Sequence, residues 1–242
     1  MPPRRLIVEP TTRCNLRCQM CLREVLAEPV GDMDMDTYRR LLPLLPHLES
    51  VSLTGYGEPL LNSNLLDMAR LARASLPEEA RVSFITNGSL ITSDVAREIV
   101  ASGLDELGIS LEGCSAPTHN EIRRGSSFRD VVERAALVTE ARQQRPSAGF
   151  ARTLAHPTPR LVVHFVAMRR NLAELSSVVR LAHEAGADGL VVSHLLAHTE
   201  DMKAETIYSY HSAEALQHFQ RVRQHAEAEK LDVSRVLDFV PY

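Results

Sequence analysis

The chain predicts an α/β fold: a parallel sheet whose six strand–helix units close part-way into a barrel, a partial (βα)6 arrangement. Three observations carry that expectation. Short apolar runs alternate with amphipathic stretches from Leu6 to Glu229, the order that builds a parallel sheet with right-handed crossovers. The run Leu161–Ala167 is densely β-branched and apolar, as a strand covered on both faces must be. A length of 242 residues suits one domain of barrel size. Six units, in place of the eight of a closed barrel, leave one side open. The expected organisation is a single domain over 1–242, with its core over 5–235.

The elements follow in order. Leu6–Glu9 is the first strand, and it runs straight into a loop rich in cysteine. Asp36–Leu45 has helical spacing and stops against Pro46, whose ring cannot continue a helix. Val51–Thr54 is the second strand. Asn62 or Ser63 can cap a helix to Ser75 that carries Leu65, Leu66, Ala69 and Ala72 on one face. Val82–Ile85 is the third strand. Thr92 or Ser93 caps the helix through Ala101, and Gly103 stops it. Leu107–Leu111 is the fourth strand, followed by a long helix over Ser127–Arg142. The three prolines of Gln143–Pro159 interrupt the rhythm as an irregular connection, not as a domain boundary. Leu161–Ala167 is the fifth strand, Asn171–Ala185 a helix ended by Gly186, and Leu190–Ser193 the sixth strand. The last clear helix is Ser212–Glu229. The apolar end, Leu237–Tyr242, suits an extended segment that awaits a partner element, the pattern of a shortened or truncated chain.

Composition narrows the function. With 44% hydrophobic and 24% charged residues the chain can bury a sizeable core in water. A net charge of −4 gives no general nucleic-acid affinity. No apolar run approaches the roughly 18 residues that span a bilayer. The start, Met1-Pro-Pro-Arg-Arg, carries no secretory pattern. The expected location is the cytoplasm.

Three of the four cysteines, Cys14, Cys18 and Cys21, fall in one loop with the spacing C-x3-C-x2-C. A disulfide is a poor fit to an intracellular chain with so few cysteines. Structural zinc wants a fourth ligand at regular spacing, and none follows. Three thiolates are one short of the four that hold a [4Fe–4S] cluster, so one iron would keep an open position. Cys114, far away, reads as a small packed hydrophobe.

In such folds function gathers on the loops after the carboxyl ends of the strands. The cysteines follow the first strand. Gly55-Tyr-Gly-Glu-Pro59 follows the second; its glycines admit close backbone approach, and Glu58 can accept from a cation. Thr86-Asn-Gly88 follows the third, an ordinary turn when taken alone. Ser110, Glu112 and Gly113 follow the fourth, with Arg123 and Arg124 beyond, where an arginine can fork onto a carboxylate. His164, His194 and His198 are acid–base candidates, although a lone histidine is more often a structural hydrogen-bonding residue. Their shared place on one rim gives these residues weight.

Together these residues resemble the radical S-adenosylmethionine (SAM) superfamily, whose signature is the C-x3-C-x2-C loop after the first strand. The resemblance covers nearly the whole chain and implies a TIM-like partial (βα)6 barrel. It implies that Cys14, Cys18 and Cys21 ligate a [4Fe–4S] cluster whose open iron takes the amino and carboxylate groups of SAM. It implies further that Gly55, Tyr56, Gly57 and Glu58 meet the methionine ammonium, with Tyr56 standing where a glycine is common. Asn87, Ser110, Glu112, Arg123 and Asn171 occupy positions that touch the ribose or methionine carboxylate in relatives. His194 and Leu195 lie where relatives approach the adenine, and Met20 sits where an aromatic is frequent. The implied chemistry is reductive cleavage of SAM to a 5′-deoxyadenosyl radical that takes a hydrogen atom from a substrate, with the electron supplied by a donor such as a flavodoxin or ferredoxin.

Within the superfamily, Leu22-Arg-Glu24, Gly31-Asp-Met33, Phe165–Asn171 and Ser193–Glu200 resemble maturases of the tungsten-cofactor oxidoreductase type, which modify peptides, proteins or cofactors. The cysteine-rich extension frequent in that group has no counterpart, since no cysteine follows Cys114. A peptide or protein substrate would suit the open barrel side. The alternatives are a non-catalytic iron–sulfur or zinc-binding structural protein, and an accessory module that binds SAM without turnover.

The ligand set has a direct test. Alanine at any one of Cys14, Cys18 or Cys21 is expected to abolish [4Fe–4S] assembly, whereas Cys114→Ala leaves the iron content of anaerobically reconstituted protein unchanged. Iron loss on changing Cys114 would refute the assignment.

Overall fold

The computed structural model describes residues 3–26, 29–144, 159–207 and 212–233. Its strands in chain order are β1 (Arg5–Val8), β2 (Arg17–Cys18), β3 (Ser50–Leu53), β4 (Arg81–Thr86), β5 (Glu106–Ser110), β6 (Arg123–Arg124), β7 (Arg160–Ala167) and β8 (Gly189–His194). The α-helices are α1 (Met35–Arg39), α2 (Leu65–Ser75), α3 (Ser93–Ala101), α4 (Ala116–Ile122), α5 (Phe128–Gln143), α6 (Leu175–Glu184), α7 (Glu200–Glu205) and α8 (Ser212–Ala228). No helix among the described residues is long and apolar enough to cross a membrane.

Six strands form one parallel sheet in the order β1-β3-β4-β5-β7-β8. Spatial neighbours are thus successive in sequence, as the expected partial barrel requires, with β1 and β8 at the two edges. Alternation along each strand sorts the side chains. Val51 and Leu53, Val82 and Phe84, Leu107 and Ile109, and Leu161, Val163 and Phe165 pack into the large apolar core. The other face is less apolar and holds Ser52, Ser83, Ser110 and His164. Gly108 on that face leaves room for the His164 ring, which an added methyl would meet at 2.7 Å. At the open edge Ile7 is 75% exposed.

Several helix boundaries differ from expectation, each for a local reason. The predicted helix Asp36–Leu45 is two pieces: α1 ends at Arg39, and Leu42–His47 is a 3-10 turn with Pro43 and Pro46 inside it. The cap of α2 falls at Asn64. Asn62 instead accepts from the Asn64 N–H, and its amide donates to the carbonyls of Pro10 and Met33. Thr92 caps α3 as expected, and Gly103 follows in the left-handed region at φ 81°. The expected helix from Asn171 opens as a 3-10 turn, Leu172–Glu174, before α6. The short helices α4 and α7 and the ribbon β2–β6 were not expected. They lack the length that makes periodicity legible. Beyond α8, Asp232 pairs in parallel with Gly189 at the start of β8, and the Leu190 N–H donates to its carbonyl. Part of that sheet edge is thereby covered. The expected irregular connection lies mostly, and the expected apolar end wholly, outside the described residues.

Candidate functional site

A cavity of about 390 Å³ lies at the carboxyl ends of the strands. Cys14, Cys18 and Cys21 all line it, and all are free thiols. The loop after β3 contributes Thr54 to Glu58, the end of β4 gives Thr86 and Asn87, and β5 gives Ser110. Arg123 lines it from β6, and Ser193, His194 and Leu195 from the end of β8. The rim expected from sequence is therefore assembled in space by six stretches of chain far apart in sequence.

The cysteine loop is strapped on every side. Asp32 accepts from Thr11 Oγ1 at 2.6 Å and from Arg13 Nε and Nη2 at 2.9 and 2.6 Å. The Arg13 bonds hold the Asp32 carboxyl below its usual range. Arg13 Nη2 also reaches the Leu61 carbonyl at 2.6 Å, and the Arg13 carbonyl accepts from the Glu58 N–H at 2.7 Å. Gly57 is confined by that contact: a Cβ would stand 2.0 Å from the Thr11 carbonyl oxygen. Only glycine lets the two loops meet. Glu9, at the end of β1, accepts from the N–H groups of Tyr56 and Gly57.

Glu58 is buried and points inward. Its Oε1 accepts from Thr86 Oγ1 at 2.6 Å and from the Leu60 N–H at 3.2 Å, while Oε2 accepts from the Asn87 N–H at 2.7 Å. Burial pushes this carboxyl above the usual carboxylate range, against the pull of those donors. Three of about four acceptor sites on a carboxylate are thus engaged, leaving one open on a residue that lines the cavity. Asn87 donates to Asn15 Oδ1 at 2.9 Å, and Asn15 in turn to Ser89 Oγ at 2.7 Å. The cysteine loop and the β4 turn share one polar network.

Arg123 forks onto a carboxylate, and that carboxylate is Glu112. Nη2 reaches Oε1 at 3.0 Å and Nε bonds Oε2, with Glu112 wholly enclosed. The same guanidinium approaches Cys18 Sγ at 3.8 Å. Cys18 and Arg123 face each other in the antiparallel β2–β6 ribbon. His119 supports this corner from below: the Glu112 N–H donates to its Nδ1 at 3.3 Å, and Nε2 meets Ser126 Oγ at 3.0 Å. That pattern requires a neutral ring protonated on Nε2.

Two expected contact residues point elsewhere. Asn171 is fully buried, its amide donating to the carbonyls of Glu112 and Val166 and its oxygen accepting from the Met168 N–H. It braces the loop that carries Glu112. Glu112 itself is occupied by Arg123. Cys114 packs against the core, with its N–H on Glu174 at 2.7 Å. His194 and His198 line the cavity, and burial lowers the His194 pKa. Leu195 belongs to a small apolar cluster with Met168, Met202 and Ile122, against which Met20 packs. Glu9, Asn15, Asp32 and His119 escaped the sequence reading. A charged residue ending an apolar strand was a signal for Glu9; nothing local marked the others.

Burial pushes the Cys18 thiol up to about 11 and raises Cys14 as well. A metal that takes these ligands must displace their protons. Among the described residues no three histidine, cysteine or acidic side chains converge for a single metal ion.

Residues 8–158 match the family model described as the radical SAM superfamily, more than half of the chain. The chain belongs to that superfamily. Among its relatives is the tungsten-containing aldehyde ferredoxin oxidoreductase cofactor-modifying protein of Pyrococcus furiosus, 26% identical over 210 residues (84% of this chain and 54% of that one). The mycofactocin maturase MftC of Mycobacterium tuberculosis is 30% identical over 180 residues, covering 74% of this chain and 41% of its own. This radical SAM chain spans about half the length of those curated relatives. Streptococcus suis SuiB bound to S-adenosylmethionine superposes with a TM-score of 0.71 at 15% identity, over 96% of this chain and 49% of that one. Native anSMEcpe with bound AdoMet gives 0.71 at 18%, over 96% and 64%. At those identities the likeness is one of fold.

Removing Arg123 is expected to strand Glu112 as a buried, unpaired charge and to cost about 3–5 kcal/mol. Urea unfolding of Arg123→Ala checks this, with Glu112→Gln/Arg123→Met recovering much of the loss. His119 gives a pH signature. Burial pushes its pKa down to about 4, so between the ordinary value near 6.5 and that value the unfolded chain binds more protons than the folded one. Stability is full above pH 6.5 and falls through that window by about 3 kcal/mol as pH drops. Unfolding free energies of His119→Gln between pH 7 and 4 should lack that part of the slope.

Proposed function

We propose that this chain is the catalytic barrel of a radical SAM maturase acting on a peptide, a protein or a cofactor precursor. The observation that carries the reading is the convergence of three free thiols from one loop on a cavity ringed by Gly55–Glu58, Asn87 and Ser110. Cys14, Cys18 and Cys21 would hold a [4Fe–4S] cluster, one thiolate short of the full set, so that one iron stays open. When bound there, the cluster and SAM supply reductive cleavage to a 5′-deoxyadenosyl radical and abstraction of a substrate hydrogen.

The protein's part is binding, orientation and exclusion of water. The backbone of Gly55–Gly57, held by Glu9 and by the approach of Thr11, is set to accept an ammonium. Glu58, with its one open acceptor site, lines the same space. Ser110, Asn87 and Arg123 add polar atoms for a carboxylate or a ribose, and Leu16, Met20, Ile85, Val166 and Leu195 form an apolar wall. Reductive cleavage needs one electron, for which a donor such as a flavodoxin or ferredoxin would serve, and four free thiols fit a cytoplasmic location. A peptide substrate is supported by relatives of the same fold whose structures contain one: SuiB bound to precursor peptide SuiA, and anSMEcpe with the Cp18Cys peptide.

Anaerobic reconstitution, followed by dithionite and SAM, tests the reading. About four irons per chain and release of 5′-deoxyadenosine are expected. Iron without 5′-deoxyadenosine would mean a binding module, and one zinc in place of iron a structural site. Glu58→Ala is expected to keep its iron and to bind SAM about tenfold or more weakly by calorimetry, the loss of one charge-assisted hydrogen bond.

A further inference from the structure

The β2–β6 ribbon has two faces, and they are matched differently. On one face Cys18 stands opposite Arg123, whose charge is met by Glu112. Period-two alternation puts the next pair, Arg17 opposite Arg124, on the other face. Two like charges directly across an antiparallel pair repel. Neither guanidinium has a hydrogen-bonded or ionic partner among the described residues, and both are exposed. Neighbouring arginines are unlike them: Arg23 pairs with Glu24, and Arg170 is held by Gln19, Glu121 and Glu205.

This unmatched pair lines a second, larger groove of about 1080 Å³. The groove adjoins the cysteine cavity, sharing Cys18, Met20, Cys21 and Leu195 with it. Met168, Met202 and Val25 add apolar, adaptable lining. Asp201 is the one acidic side chain of the lining that lacks a partner among the described residues.

We propose that Arg17 and Arg124 form an anion-recognition site for an acidic peptide segment lying in this groove beside the cysteine cavity. The site deepens the maturase reading, on which its meaning as a substrate site rests. Two guanidiniums held side by side by the ribbon present several N–H donors to one carboxylate, which relieves their mutual repulsion as it binds. Val25 and Met20 in the same lining offer apolar surface to the side chains of a peptide, and the volume exceeds what a single amino acid fills.

The test uses the full 242-residue chain and a fluorescein-labelled peptide with two adjacent glutamates flanked by leucines, followed by anisotropy at low ionic strength. The expected result is binding about tenfold tighter than for the peptide with glutamines in those places. Arg17→Gln/Arg124→Gln is expected to erase that preference while melting at the same temperature or higher, because a repulsion has been removed. Arg124→Glu should also abolish acidic-peptide binding, since opposite charges then face each other across an intact ribbon. Equal affinity for the two peptides, or a preference that survives in either variant, overturns the proposal. So does a fall of several degrees in the melting temperature of the double variant, which would make the pair structural. Displacement of the peptide by inorganic phosphate at equal concentration would also overturn it, in favour of a phosphate site. Peptide binding needs no turnover. A chain that binds the peptide but gathers no iron refutes the catalytic maturase reading and leaves this site standing as a peptide site; one that gathers iron and ignores the peptide does the reverse.

Discussion

The cysteine loop depends on one buried charge pair. Glu112 has no exposure at all, and an isolated carboxylate in that position would be costly unless matched. Arg123 matches it bidentately, and the same side chain stands against Cys18. The pair thereby ties the end of the β5 loop to the middle cysteine across a two-residue ribbon. His119 and Asn171 hold the backbone of Glu112 from two further directions. Three stretches distant in sequence, around Cys18, Glu112–Arg123 and Asn171, thus agree on the position of one sulfur.

The remaining straps use more exposed carboxylates and side-chain amides. Asp32 clamps Thr11 and Arg13, and Glu9 holds the N–H groups of the Gly55–Gly57 turn. Asn15 joins Asn87 and Ser89. The loops at the carboxyl end of the sheet are therefore braced on one another as well as on the sheet beneath. A cavity with several polar atoms at set positions follows, which is what positioning a flexible ligand beside a reactive centre demands. Much of the polar equipment assigned from sequence to ligand contact has a second duty here. Glu58 and Asn87 organise loops while still facing the cavity, whereas Glu112 and Asn171 are wholly internal.

The ribbon also separates two kinds of space. Its inner face belongs to the cysteine cavity and is electrostatically satisfied; its outer face borders a wider groove and carries two unmatched guanidiniums. The two spaces still meet at Cys18, Met20, Cys21 and Leu195, which line both. The open edge at β1, with Ile7 uncovered, and the partial cover of β8 by Asp232 mark the two ends of the unclosed barrel.

Read alone, the sequence determined the α/β class, the order of six strands, most helix ends and the three cysteines with their neighbouring rim. Those features rest on local spacing: apolar periodicity, a capping threonine at Thr92, a glycine stop at Gly103, thiols packed into one loop. Such signals act between residues a few positions apart, so they survive in one dimension. Only the tertiary structure decided that Arg123 answers Glu112, that Glu9 holds the Tyr56 turn, that His119 is locked neutral and that Arg17 faces Arg124. Each of these is a pairing of polar groups brought together by the closing of the sheet. What selects the partner is the cost of leaving a buried charge or donor unmatched, and that cost exists only once the chain has folded around it.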